Sequence, residues 1–289
     1  MSNIIELIKV LRDRTGAGMM DCKKALLEND CDIEKSCEWL REKGIAKAAK
    51  KSSRVAAEGA TNVTINGSDA VILEVNSETD FVAKSEAFKN LLVETANILL
   101  NEKPACINCA KKATEELYTN ATVKIGEKLD LRRFELLTKN DNQVFGGYIH
   151  MGGKISTLLL IEGNVTQEEA NGLAMHVAAN APTYVTTADI SQEELEKETK
   201  VQLELAKQDP KLAGKPEEML KKIIGGKVSK VFAALVLVEQ EYLMVPGVKV
   251  GQWLKEHNAS VVKMLRYMTG EGIAKREENF AEEVAKQMA

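Results

Sequence analysis

The stretch TNVTINGSDAVILEV, residues 61–75, commits this chain to antiparallel structure more firmly than any other segment. Two runs rich in β-branched and aliphatic residues flank Asn66-Gly67, the dipeptide that tolerates the positive φ a tight hairpin needs. A helix is expected directly afterwards, near 84–100, with Phe88, Leu91, Leu92, Thr95 and Leu99 on its buried side. LDLRRFELL, QVFGGYIH and ISTLLLIEG read as three further strands. TQEEANGLAMHVAANAP reads as a helix that opens with Thr166 and Glu169 at capping-box spacing and stops before Pro182. The order of TLLLIEG and its helix echoes VILEV and its helix, which predicts two related α+β halves. VGQWLKEHN then gives a short helix, ASVVKMLRYM a strand and EENFAEEVAKQM a closing helix.

Helical segments flank and interrupt this region. Ile4, Leu7, Ile8 and Leu11 recur at helical spacing; TGAG at 15–18 breaks that helix, and MMDCKKALLEN begins another. Asp32 is placed to cap a third, with Ile33, Cys37 and Leu40 on one face and Gly44 as its stop. Three short helices over 1–45 predict a small bundle. The segment that follows, 46–59, reads as a basic tether, helical or flexible, in a run that carries Lys43, Lys47, Lys50, Lys51 and Arg54. The core is expected as 60–140 for the first half, and 141–190 with 227–272 for the second. Between them, 191–226 reads as a helical hairpin opened by Ser191 and Glu194 and punctuated by Asp209-Pro210 and Lys215-Pro216. It is charged on most faces and so should have little core of its own. Residues 273–289 carry the closing helix.

Charge and apolar content exclude several classes. A net charge of −4 argues against nucleic-acid binding, which usually carries a basic excess. The densest apolar run, VFAALVLV at 231–238, is far too short for a membrane span, and MSNIIELIKVLRDR lacks the pattern of a secretory signal. Five scattered cysteines, an odd number, fit free thiols in the cytoplasm better than a disulfide framework.

Catalytic motifs fail on inspection. GGYIHMGGKIST misses a phosphate loop, because Tyr148 and Ile155 stand where Gly and Ser or Thr are required. Cys106-Ile107-Asn108-Cys109 has no second ligand pair for zinc. It follows Lys103-Pro104 in what reads as a loop, rather than opening a helix after a strand. His176, beside Leu173 and Val177, reads as a packed histidine. No catalytic residue, metal or cofactor is expected. Two stretches remain as contact surfaces. In RTGAGMMDCKK, consecutive Met19 and Met20 cannot both face one core. In ETDFVAK, the pair Asp80-Phe81 has two readings: Ser77 and Asp80 at capping-box spacing make it a helix cap and staple, or it is a wedge for another protein.

LRDRTGAGMMDCKKAL together with EVNSETDFVAKSEAF resembles the signature pair of the elongation factor Ts family, nucleotide exchange factors for elongation factor Tu. KIGEKLDLRR, AMHVAANAP and VGQWLKEHNASVV extend the likeness over nearly the whole chain. The family's usual Gln-Pro-Phe-Val stretch stands here as Gln240-Glu241-Tyr242-Leu243. The resemblance implies a ubiquitin-associated-like N-terminal bundle, a two-part α+β core with antiparallel sheets, an inserted coiled-coil hairpin and a C-terminal helix. It implies that Thr79, Asp80, Phe81 and Val82 intrude near the partner's magnesium site. Arg12, Met19, Met20 and Lys23 would dock the bundle on the partner's GTPase domain. Ile125, Gly126 and His150 would lie at the same interface, and Leu243 and Met244 would reach a second partner domain. The partner is elongation factor Tu, GDP-bound or nucleotide-free, with a homodimer within that complex possible and no nucleotide held directly. An adaptor that binds a GTPase or ubiquitin-like partner without ejecting nucleotide remains open.

Overall fold

The computed structural model describes residues 2–51, 53–209, 212 and 217–274. It is α+β with two small antiparallel three-stranded sheets, ordered β1-β2-β3 and β4-β5-β6. The described residues of 1–138, 149–156 and 267–289 form one compact unit, and those of 139–148 and 157–266 a second. The N-terminal helices thus share a unit with the first sheet, and the 191–226 segment belongs to the second unit. The closing helix expected within 273–289 falls almost wholly outside the described residues, as do Pro210 and Pro216. Among the described residues no helix is long and apolar enough to cross a membrane.

In the first unit, α1 (Ser2–Thr15), α2 (Met19–Glu28) and α3 (Ile33–Lys51) close around Ile8, Leu11, Ala17, Cys22, Leu26 and Leu40. Asp32 caps α3, accepting the Lys35 amide at 3.0 Å. Gly44 does not stop that helix. A Cβ there would stand 2.6 Å from Val123 Cγ2, so this glycine is the point where α3 passes close to a neighbouring helix. The segment read as a tether is therefore the continuation of α3 as far as Lys51; the side chains of Lys47 and Lys50 lie outside the described set.

β1 (Glu58–Asn66) and β2 (Asp69–Ser77) form the expected hairpin, with Asn66 opposite Asp69. The two turn residues are Gly67 and Ser68, one position later than Asn66-Gly67, and Gly67 takes the positive φ of 60°. β3 (Asp130–Thr138) pairs with the other edge of β2, leaving β2 central and nearly all buried. After α4 (Asp80–Lys84) comes α5 (Glu86–Glu102), and its Phe88, Leu91, Leu92, Thr95 and Leu99 are all buried as expected. α6 (Ile107–Ala113) and α7 (Glu115–Ile125) are helices the sequence reading did not contain. Cys106 is the N-cap of α6, so the Cys pair opens a helix after all, although no strand precedes it.

Buried charge in this unit is concentrated at Glu74 on β2. Its carboxylate meets Arg132 at 3.0 Å, Arg133 at 2.6 Å and the Gly270 amide at 2.8 Å. Burial alone would raise its pKa, yet the Gly270 N–H and the two guanidinium groups hold it below the usual carboxylate range.

The second unit is built on β4 (Gln143–His150), β5 (Ile155–Glu162) and β6 (Ser260–Met268), although the sheet's residues 149–150, 155–156 and 267–268 belong to the first unit. α8 (Gln167–Asn180) carries the expected Thr166–Glu169 capping box and buries Ala170, Leu173, Ala174 and Val177 against Leu159, Ile161 and α11 (Val250–Glu256). α9 (Gln192–Gln208), with its Ser191–Glu194 box, packs on α10 (Glu217–Leu235). Two expectations are corrected here. α10 runs through Gly225-Gly226 to Leu235, and the pair has an apolar cluster of Ala206, Leu212, Ile224, Val228 and Phe232. Part of the cause lies in VFAALVLV, whose first half extends the helix and adds Phe232 to that cluster.

Candidate partner-binding site

Phe81 is 83% exposed, the most open large apolar side chain among the described residues. It sits in α4, a helix of only five residues, too short to hold itself together in isolation. The surroundings supply what the helix lacks. Thr79 is the N-cap, its hydroxyl accepting the Val82 amide at 3.4 Å; Ser77, expected in that role, donates its hydroxyl to the Thr79 carbonyl at 2.9 Å. Val82 and Ala83 pack against the core cluster of β2 and α5. With those two turned inward, the 100° step of the helix turns Phe81 outward. The cap exists at Thr79 rather than at Ser77 with Asp80, and Phe81 staples nothing.

Glu127 fixes the loop from below. Its carboxylate accepts the Glu78 amide at 3.1 Å, the Thr79 amide at 3.0 Å and the Thr79 hydroxyl at 2.7 Å. In return Glu78 accepts the Lys128 amide at 2.7 Å and pairs with Arg54 at 3.1 Å. Gly126, left-handed at φ 87°, ends α7 and turns the chain so that Glu127 points into the loop. Lys51, at the end of α3, donates to the Gly126 carbonyl. Ile125 packs partly into the core, so its contribution is to seat the turn, while Gly126 is exposed. Sequence reasoning named Ile125 and Gly126 but missed Glu127. No local pattern marks a carboxylate whose ligands lie 48 and 49 residues away.

Asp80 points along α4 to Lys84 at 2.6 Å. The hydrogen bond from Lys84, with the positive fields of Lys84 and Lys154, holds its carboxyl below the usual range, so it is an anion at neutral pH. Lys154 belongs to the tight turn after His150, which is hydrogen-bonded to β1 through Thr61 N–H and Gly153 O at 2.7 Å. His150 and Met151 are exposed at that turn.

α7 joins this loop to the N-terminal helices. Val123 packs into their apolar cluster, whereas Leu117, Tyr118, Ala121 and Ile125 pack into the first α+β core. On α2, Met19 and Met20 are both exposed, at 57% and 73%; Lys23 and Leu27 follow on the same helix, also exposed, and Arg12 is exposed on α1. The bundle therefore exposes apolar and cationic side chains together on α2.

Leu243 and Met244 are exposed in the second unit, in the loop between α10 and α11. His176 holds that loop. Its Nδ1 accepts the Leu243 amide at 3.2 Å, which leaves Nε2 to donate to Gln240 Oε1 at 2.9 Å. Burial pushes this histidine's pKa down, consistent with the neutral ring those two bonds require. It is packed, as expected, and it also positions a neighbouring surface. Among the described residues no group of three or more His, Cys, Asp or Glu is arranged to hold a metal ion.

A family model described as elongation factor TS matches residues 78–271, about two thirds of the chain. The match begins at the first residue of the loop that carries Phe81.

Proposed function

The chain belongs to the elongation factor Ts family, and from that premise we propose that it binds elongation factor Tu·GDP and accelerates release of the nucleotide in the cytoplasm. The observation that carries this reading is Phe81, an aromatic ring held out in solvent on a short helix fixed at both ends.

A GTPase holds GDP through a phosphate cradle and through Mg²⁺ bridging protein and phosphate oxygens. Thr79, Asp80, Phe81 and Val82 act together on that site. The ring enters between the partner's helices and displaces the elements that organise the metal shell. Asp80 brings a carboxylate beside those polar contacts, and its pairing with Lys84 keeps it charged and oriented. Thr79 and Val82 act from behind, one capping the helix and the other packing into the core. Ile125 and Gly126 flank the intruding loop, and His150 makes a contact at the same interface. Arg12, Met19, Met20 and Lys23 dock the N-terminal helices on the partner's GTPase domain; Leu243 and Met244 reach its second domain.

Magnitudes require this breadth of contact. One buried Phe is worth roughly 1.5–3 kcal/mol, far less than the grip of a GTPase on its nucleotide, so the other surfaces must supply the remainder. No covalent bond is made or broken: the protein changes a binding equilibrium, and by linkage GDP weakens its own hold on the partner by the same factor. The test is release of fluorescent GDP from elongation factor Tu, with and without the protein. Acceleration at catalytic amounts supports exchange. Binding with an unchanged release rate would leave the adaptor.

A further inference from the structure

Two thiols take no part in the proposed partner binding. Cys106 and Cys109 lie at the start of α6, both exposed and both free. Cys106 Sγ accepts the Cys109 backbone N–H at 3.2 Å. That contact brings the Cys106 sulfur to the backbone of the residue that carries the second thiol, three positions on in the first turn of the helix. The shared contact also separates them chemically. Hydrogen bonds from Cys109 pull the Cys106 thiol below its ordinary pKa, and the same pairing pushes Cys109 up.

The other three cysteines make an internal control. Cys22 is buried and Cys37 half-buried, and burial pushes both thiols up, away from the reactive thiolate. Cys31 is exposed like the pair. A metal role is poorly served, because among the described residues the pair gains no third ligand.

We propose that Cys106 and Cys109 are a dithiol redox site that low-molecular-weight disulfides oxidise to an intrachain disulfide. The Cys106 thiolate attacks one sulfur of the small disulfide; that S–S bond breaks, a mixed disulfide forms, and one small thiolate leaves and takes a proton from solvent. Cys109 gives its proton to water and attacks Cys106 Sγ, releasing the second small thiol and closing the ring. Two cysteine thiols lose two electrons, and the small disulfide gains them as two thiols.

The experiment treats the full-length protein with oxidised glutathione at pH 7.5, stops the reaction with acid, alkylates, and reads each cysteine peptide by mass. The peptide spanning 106 and 109 should lose two hydrogens first, at least about tenfold ahead of modification at Cys22, Cys31 or Cys37, and dithiothreitol should reverse it. Cys109→Ser should stop at the glutathione adduct on Cys106. Circular dichroism matching the wild type confirms that the variant is folded. Either of two results overturns the proposal: a lasting glutathione adduct on the wild-type pair without ring closure, or Cys31 reacting as fast as Cys106, which would mean that exposure alone governs.

Discussion

Replacing Phe81 with Ala separates a ring that contacts a partner from a ring that stabilises its own molecule. With 83% of the residue open to solvent, the folded protein gains almost nothing from burying it. Ala is a better helix former than Phe, so α4 is not weakened, and a surface change of this kind moves stability by no more than about 0.5 kcal/mol. At the interface the arithmetic reverses. Nearly the whole side chain is available for burial, which is worth roughly 2 kcal/mol, or about 30-fold in an equilibrium constant. If the ring is buried only when the partner's metal site is disturbed, the loss falls on the complex of both proteins with GDP.

Two assays on the same variant decide the matter. Fluorescent GDP release from elongation factor Tu, at limiting exchange factor, should slow at least tenfold, and about 30-fold if burial is complete. Thermal unfolding should not move. By reciprocity the variant should also lose part of the antagonism between GDP and its own binding to the partner. A large fall in melting temperature would show that Phe81 is a structural staple. An unchanged exchange rate with a normal fold would refute the wedge itself.

Three further outcomes follow from named contacts. Glu127→Ala removes three hydrogen bonds from the loop and should cost about 1–3 kcal/mol of stability, speed hydrogen exchange at the Glu78 and Thr79 amides, and slow GDP release despite an intact Phe81; unchanged amide protection would sink the clamp. His176, with its pKa depressed by burial, binds fewer protons folded than unfolded, so the stability it supports is full above its ordinary pKa near 6.5 and is lost as pH falls below it. Thermal melts between pH 7.5 and 5.5 should show that decline, with a shallower slope in His176→Gln; parallel slopes would refute it. Glu74→Gln leaves Arg132 and Arg133 without their carboxylate and should cost about 2–4 kcal/mol in chemical denaturation, discounted because both guanidinium groups are about a quarter exposed. A loss within experimental error would mean that the neutral amide serves the Gly270 N–H and the two guanidinium groups as well as the carboxylate does.

What could be read from the sequence was what is decided locally. The hairpin over 58–77, the two capping boxes and the buried stripe of α5 each depend on residues close to one another along the chain. Gly44 shows where this fails. A glycine near the end of a helical pattern can be a stop or a close approach, and only Val123, 79 positions away, decides for the approach. α6 escaped because its cap is a cysteine, a residue with no standing as a cap, although the Leu117, Tyr118, Ala121 and Ile125 stripe of α7 was open to view. Ser77, expected as the cap of α4, gives way to Thr79, a residue two positions on that the spacing did not single out. Glu127 holds the Thr79 amide and hydroxyl from across the fold, a contact no local pattern announces.

The same long-range contacts supply the order that the proposed wedge would need on so small a helix. A wedge on a loose loop would lose its binding free energy to ordering itself, since each immobilised side chain or loop segment costs on the order of 1 kcal/mol. Here that order is built in before any partner arrives. Glu127 fixes the start of α4, and at its end the Ser85 amide and hydroxyl hold the Val82 carbonyl at 2.9 and 2.7 Å. Ser85 then caps α5 directly, so the five residues have no slack at either side. Behind Glu127 stand Gly126, the Lys51 bond and α7, whose Val123 reaches into the N-terminal helices. A push on Phe81 is therefore resisted by the packed body of the first unit, and Glu127→Ala should weaken exchange for a mechanical reason that Phe81→Ala does not share.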